Sequence, residues 1–377
     1  VRPASEVERR RLNETFAALC AISSPSGSEG AVGAHVRAEL EALGLAVEED
    51  DAAAAIGAGC GNLLARIPGR GDHRVLLCAH LDTVPHAQAI EPVLVDGGWE
   101  SAGDTILGAD NKAAVAMLLE VARRTAIEGA PLGIELLFTV CEERALAGAA
   151  AFDRSRLQSA FGYVFDHASP IGEIVVASPT YVRWEAELIG QAAHAGIRPE
   201  DGRSAILAAA RAVAAMPLGR IDHETTANVG QISGGVAGTN VVAERCRLVG
   251  EARSLSEEAL DGVVGEIVEH LHDAAGDPEC ECDVDLVVER CFSGYRHRTG
   301  APQVRAAEAA LRACGYAPRR ILTGGGSDAN AFEAAGLPCT NLANGTERAH
   351  EPTERVSQAA LEGMLDVTFA LLDELGD

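Results

Sequence analysis

The chain has 377 residues, enough for two domains rather than one, and 47% of them are hydrophobic, which is ample for a core. Its formal charge of −25 argues against nucleic acid and anionic membrane surfaces as partners, because both call for clustered basic residues. That charge is compatible with a site that collects metal cations, and equally with an acidic surface that maintains solubility.

Residues 6–22 carry apolar side chains at helical spacing (Val7, Leu12, Phe16, Leu19, Cys20) and end at Ser23-Ser24-Pro25-Ser26-Gly27. Ser26 and Glu29, three apart, predict a capping box for a second helix, which Gly44 stops after Leu43. Residues 62–68 read as a strand, and 69–72 as the turn before the apolar run Val75-Leu76-Leu77-Cys78-Ala79. That run ends in His80, with Asp82 two residues on. A buried parallel strand is apolar almost throughout, and the carboxyl ends of such strands are where open α/β sheets place their chemistry. His80 therefore reads as the mouth of a site. Asp82 reads as the group that hydrogen-bonds the imidazole nitrogen not given to a metal.

Residues 92–95 form a further short strand. Gly108-Ala109-Asp110-Asn111-Lys112 leads into an Ala- and Leu-rich helix to about Arg124. Ile134 to Cys141 is a strand ending in Glu142-Glu143, and Gly162 to Phe165 is another ending in Asp166. The order strand, helix, strand predicts an α/β fold of βαβ type. Near residue 180 the pattern changes. Val182 to Leu188 alternates apolar and polar residues, as an antiparallel strand with one wet face does. A loop over 190–202, a helix over 204–216, strands over 228–232 and 245–253, a helix over 257–275 and a strand over 283–288 complete a βαββαβ pattern of ferredoxin-like character. This predicts an inserted α+β domain at 181–292, within a first domain made of 1–180 and 293–377. The first domain resumes with a helix over 301–314, passes Gly324-Gly325-Gly326-Ser327-Asp328 and Ala349-His350-Glu351, and closes with a helix over 359–375.

No run of 18 or more apolar residues is present, so no membrane-spanning helix is expected. The start, Val1-Arg2-Pro3-Ala4-Ser5-Glu6, lacks an apolar signal segment, which gives a cytoplasmic location as the expectation. None of the ten cysteines forms a C-x-x-C pair, and with no secretory signal a reduced, non-disulfide state is the default. Cys78 and Cys141 lie in apolar runs as small hydrophobes. Cys280 and Cys282 are expected on one face of a strand.

Five polar clusters fall at strand ends or loops of the first domain: His80/Asp82, Asp110, Glu142/Glu143, Asp166 and His350. Mixed imidazole and carboxylate donors suit zinc, manganese or cobalt, and the lack of a thiolate argues against a structural zinc finger. Two neighbouring divalent ions need an anionic bridge, for which Asp110 is the candidate. Bland readings stand beside this one: Glu142-Glu143 as a solvated turn, His350-Glu351 as an acidic helix start, His194 as a surface histidine. Gly324-Gly325-Gly326 is not followed by Gly-Lys-Ser/Thr, which argues against a nucleotide loop.

The series His-x-Asp, Gly-Ala-Asp-Asn-Lys, Glu-Glu, Asp and a late His resembles the dinuclear zinc peptidases and amidohydrolases of the M20 class. The stretches Thr105 to Ala116, Gly172 to Thr180, Ala192 to Ile206 and Gly324 to Phe332 look most like its peptidase T-like branch. The resemblance covers essentially the whole chain. It implies a zinc-peptidase-like catalytic domain, a mixed sheet flanked by helices, with the insert as a dimerisation or lid domain. It implies two divalent ions, Zn2+ foremost and Co2+ or Mn2+ as alternatives. One would be held by His80, Asp110 and Asp166, the other by Asp110, Glu143 and His350. Glu142 matches the general base acting on a metal-bridging water, Asp82 the carboxylate behind His80, and His194 the oxyanion donor that reaches into the partner subunit of a homodimer. Asn240 and Arg253 match positions that hold polar groups of the substrate. A cis peptide is implied at Asp110–Asn111, where many relatives carry a second Asp in place of Asn111.

The reading that follows is hydrolysis of short peptides from the amino end. An amidohydrolase or carboxypeptidase acting on N-acyl amino acids is the alternative. A non-enzymatic binding protein on a decayed scaffold is disfavoured, because every implied ligand and the base are present.

Overall fold

The structure is a computed structural model that describes residues 2–376; Val1 and Asp377, the outer limits of the predicted first domain, lie outside the described residues. The chain divides into two compact units. The first comprises residues up to Ala177, Arg296–Thr323 and Ser327 onward; the second comprises Ser178–Tyr295 with Gly324–Gly326.

The first unit is built on a mixed sheet in the order Val47–Glu49, Leu63–Ile67, Gly133–Thr139, Arg74–His80, Gly162–His167, Cys339–Ala343 and Glu173–Ser178, with Arg319–Leu322 pairing with the last. Arg74–His80 runs parallel to Gly133–Thr139 on one side and to Gly162–His167 on the other. It is buried from Val75 to His80, which is why its sequence is apolar without alternation. Leu63–Ile67 is antiparallel to Gly133–Thr139, so the sheet is mixed rather than purely of the βαβ type.

Helices flank this sheet. The helix Ala109–Glu128 is buried along nearly its whole length, as its run of Ala, Val, Met and Leu requires. It packs on Arg74–His80 and against the helices Glu6–Cys20 and Gln358–Gly376. The first helix begins at Ser5, whose hydroxyl and backbone form a capping box with Glu8. The second, Gly30–Ala42, has no side-chain cap, so the capping box expected from Ser26 and Glu29 does not form. Glu29 is instead fully buried, and Ser26 Oγ donates to Asp82 at 2.6 Å. A small antiparallel sheet in the order Thr346–Glu347, Arg355–Ser357, Gly98–Ser101, Pro92–Val95 completes the unit.

The second unit has the order strand Thr180–Ile189, helix Ala205–Ala215, strands Thr225–Gly234 and Arg245–Ser254, helix Glu257–Gly276 and strand Asp283–Phe292. Its main strands lie in the order 225–234, 245–254, 180–189, 283–292, all antiparallel, which is the ferredoxin-like arrangement. Residues 180–189 alternate strictly between buried and half-buried. Val182, Trp184, Ala186 and Leu188 face a core shared with the Ala-rich helix and with Leu260, Ile267 and Leu271. Cys280 and Cys282 lie in the turn before the last strand rather than on one strand face. All ten cysteines are free. Among the described residues, no helix is long and apolar enough to cross a membrane.

Gly250 pairs with Trp184 across the sheet, and a Cβ there would lie 2.2 Å from the indole ring. A Gly250→Val substitution is therefore expected to destabilise the second unit by about 1–3 kcal/mol through overpacking. Denaturant unfolding followed by Trp fluorescence checks this, with a lower midpoint as the expected outcome.

Candidate metal centre

Three adjacent parallel strands deliver their carboxyl ends to one place. Arg74–His80 ends in His80, Gly162–His167 contains Asp166 one residue from its end, and Gly133–Thr139 continues through Val140 and Cys141 to Glu142 and Glu143. The helix Ala109–Glu128 contributes Asp110 from its first turn, where the backbone is not helical and the Asp110–Asn111 peptide is cis. His350 comes from the turn before strand Arg355–Ser357, with a backbone φ of 70°.

The structure brings these six side chains together. His80 Nε2 lies 3.2 Å from Asp110 Oδ1 and 3.2 Å from Asp166 Oδ1. His350 Nε2 lies 3.4 Å from Asp110 Oδ2 and 2.8 Å from Glu143 Oε1. The two oxygens of Asp110 thus face different histidines. Three sets have donor atoms within 4.8 Å of one another: His80, Asp110 and Asp166; His80, Glu142 and Glu143; and Asp110, Glu143 and His350. Each set mixes imidazole nitrogen with carboxylate oxygen and contains no thiolate, which is the donor chemistry of zinc, cobalt or manganese.

The electrostatics point the same way. Burial drives the Asp166 carboxyl well above the usual carboxylate range, and Asp110 adds to the rise. Burial likewise raises Glu142, and the neighbouring Asp166 and Glu143 carboxylates raise it further. Burial disfavours the charged form of His80, but Asp166 and Asp110 outweigh it and hold the imidazole well above its ordinary value. Hydrogen bonds donated by half-exposed His350 to the carboxylates of Asp110 and Glu143 push its imidazole up to about 10. Each of these shifts comes from carboxylates and imidazoles crowded together out of water, and divalent cations fit such a set of donors.

Asp82 does more than the expected contact with His80. The imidazole Nδ1 lies 3.0 Å from the backbone carbonyl oxygen of Asp82 and 3.4 Å from the nearer carboxylate oxygen. The carboxylate itself accepts the backbone N–H of Glu142 at 2.9 Å and of Glu143 at 3.2 Å. Glu29 acts in the same manner one residue earlier, accepting from the backbone N–H groups of Cys141, Gly27 and Gly59. Sequence patterning missed Glu29 because an acid three residues after Ser26 looks like a helix cap. Asp328, in the Gly-Gly-Gly-Ser-Asp stretch, is buried and accepts from Thr139 Oγ1 at 2.5 Å.

The other three residues lie in the second unit. His194 sits on the loop after Thr180–Ile189, where its Nδ1 accepts from Gly196 N–H at 3.2 Å. Asn240 adjoins it, its backbone carbonyl oxygen accepting from Ala195 N–H at 2.9 Å. Arg253 stacks over the Tyr181 ring at 4.3 Å and donates to both carboxylate oxygens of Glu251 and to Gly324 O.

A model of the M20 peptidase dimerisation domain matches residues 176–278, and one of peptidase family M28 matches residues 62–196. The uncharacterised protein YqjE of Bacillus subtilis is 36% identical over 370 residues, spanning 98% of this chain and 99% of that one. The crystal structure of aminopeptidase PepT from Bacillus cereus matches with a TM-score of 0.87 at 37% identity, over 98% of this chain and 99% of that chain. That of a tripeptidase from Staphylococcus aureus matches with a TM-score of 0.92 at 33% identity, over 98% of both.

An Asp82→Ala substitution orphans two backbone donors at the base of the Glu142-Glu143 turn. It is expected to weaken divalent-ion affinity roughly 10–100-fold, the usual effect of losing a partner behind the ligands. Titration of the metal-depleted protein with Zn2+ against a competing chelator checks this.

Proposed function

The chain belongs to the M20 peptidases, on their peptidase T-like branch, and from that premise we propose that it hydrolyses the amide bond of short peptides at their amino end. The observation that carries this reading is the convergence of two donor sets on opposite oxygens of Asp110, with Glu142 beside them. His80, Asp110 and Asp166 would hold one divalent cation, and Asp110, Glu143 and His350 the other, with zinc the best match to these donors. When bound, such a pair makes water acidic near neutral pH and polarises a carbonyl group.

The remaining steps belong to the chain's own residues. Glu142 takes the proton of the attacking water and passes it to the leaving amine. Its burial suits that work, because a carboxyl held above its usual range is a better base once ionised. Asp82 and Glu29 hold the backbone of the turn that presents Glu142, so the carboxyl does not have to be positioned at the moment of reaction. His194 donates to the oxygen that becomes negative as the carbonyl carbon turns tetrahedral. We assign it to the site of the partner subunit in a homodimer; the match of residues 176–278 to a peptidase dimerisation domain supports this. Asn240, beside His194, and Arg253, beside Gly324, are assigned to the polar groups of the peptide. A cytoplasmic location agrees with ten free cysteines.

Glu142→Gln is expected to keep its metal content, measured by emission spectroscopy, while turnover of a tripeptide falls by ~10²–10⁴. His194→Ala is expected to lower turnover by ~10²–10³ without loss of metal. Mixing the two inactive variants should restore part of the activity; no recovery would separate His194 from a shared site. A panel of di- and tripeptides against N-acetylated amino acids tests substrate class. Cleavage of free-amine peptides is the expected result, and activity confined to acylated substrates would replace the aminopeptidase reading with the amidohydrolase one.

A further inference from the structure

The loop that presents Asp110 is held from below by a side chain with no role in the chemistry above. Glu354 is 2% exposed and lies 244 residues further along the chain than Asp110. One of its carboxylate oxygens accepts the backbone N–H groups of Leu107 at 2.9 Å and Gly108 at 2.7 Å. The other accepts the backbone N–H of Asp110 at 2.9 Å. Gly108 and Asp110 stand at the start of Ala109–Glu128, a helix with no side-chain cap of its own at Gly108, and Leu107 immediately precedes it. Glu354 is therefore a cap supplied from a distant part of the chain.

Its place in the sequence makes it more than a cap. Glu354 lies four residues after His350, and the turn between them is closed by Glu354 N–H donating to Glu351 O at 2.9 Å. The next residue, Arg355, begins a strand paired with Gly98–Ser101. One short, sheet-anchored segment thus carries His350 at one end and grips the backbone of Asp110 with the other. His350 and Asp110 face each other at 3.4 Å. A helix cap alone would need no particular relation to His350.

We propose that Glu354 is a positioning residue for the metal pair: it fixes the backbone of Asp110 relative to His350, so that the carboxylate of Asp110 can bridge two cations. This rests on the two-cation reading of the site. The roles of the two carboxylate oxygens make the claim specific. In Glu354→Gln the amide oxygen can still serve Leu107 and Gly108, but the amide NH2 then faces the N–H of Asp110, and donor meets donor. The helix keeps most of its cap while the backbone of Asp110 loses its partner.

The test is titration of metal-depleted protein with Mn2+ by calorimetry, together with electron paramagnetic resonance of the loaded protein, which reports whether two Mn2+ ions share a ligand. Wild-type protein is expected to bind two ions with a coupled spectrum. Glu354→Gln, folded by circular dichroism, is expected to bind the second ion roughly 10–100-fold more weakly and to lose coupled signal. Glu354→Asp, which keeps both acceptor oxygens on a shorter stem, is expected to fall between them. Wild-type protein that binds a single ion would remove the two-cation reading itself. Two coupled ions in the wild type, with unchanged affinity and coupling in Glu354→Gln, would overturn the positioning role alone. If Glu354→Gln does not fold, the comparison passes to Glu354→Asp, where wild-type constants, or failure to fold, would assign Glu354 to the fold and not to the metals.

Discussion

Four carboxylates and two imidazoles share one small volume at the end of a buried sheet, and that crowding governs the rest of the molecule. Two like charges about 4 Å apart repel by roughly 4 kcal/mol at an effective dielectric of 20. Asp110, Glu142, Glu143 and Asp166 therefore cannot all stay ionised beside one another unless positive charge is brought in. The two histidines supply part of it, and both are held toward their protonated forms by the acids around them. Divalent cations supply more charge per volume and accept the same lone pairs. A cluster that would be a defect in an ordinary core has in this way the donors to hold metal, as proposed above.

Such a cluster holds its shape only if the backbone beneath it cannot relax. Three buried acids provide that rigidity by accepting main-chain N–H groups instead of solvent. Asp82 takes those of Glu142 and Glu143, Glu29 that of Cys141, and Glu354 those of Leu107, Gly108 and Asp110. Hydrogen bonds to an ionised acceptor are about twice as strong as neutral ones. Those to Asp82 are of that kind, because burial, which raises its carboxyl, is outweighed by hydrogen bonds from His80, Ser26 and the Glu142 N–H, which hold it below the usual range. Each anchor also joins segments far apart in sequence, so the residues from separate loops arrive with fixed relative positions. The parallel strands 74–80, 133–139 and 162–167 do the remaining alignment, because neighbouring strands of one sheet end side by side.

Much of this was legible in the sequence. The unbroken apolar run before His80 announced a buried strand with chemistry at its end, and the strict alternation from 182 announced a different kind of sheet in the second unit. The grouping of His80, Asp110, Glu142, Glu143, Asp166 and His350 followed from their positions at strand ends and from the resemblance to the M20 class. What stayed hidden were the supports. Glu29 looked like half of a capping box, and Glu354, in a polar loop, gave no signal at all, because periodicity reports which face of an element is buried and not which main-chain group a lone acid will reach. Asp82 looks in the sequence like a partner for the His80 ring, while in the structure its carboxylate mainly serves the backbone of Glu142 and Glu143. The strand face expected for Cys280 and Cys282 failed for a related reason: two residues of alternation cannot tell a strand from the turn that precedes it.

The central claim is that Asp110 is shared by two cations. The most direct measurement is anomalous diffraction at the zinc absorption edge from crystals of the zinc-loaded protein. Two peaks about 3.5–4 Å apart, one on each side of the Asp110 carboxylate, are the predicted result. A single peak, or peaks that leave Asp110 without a metal contact, would contradict it.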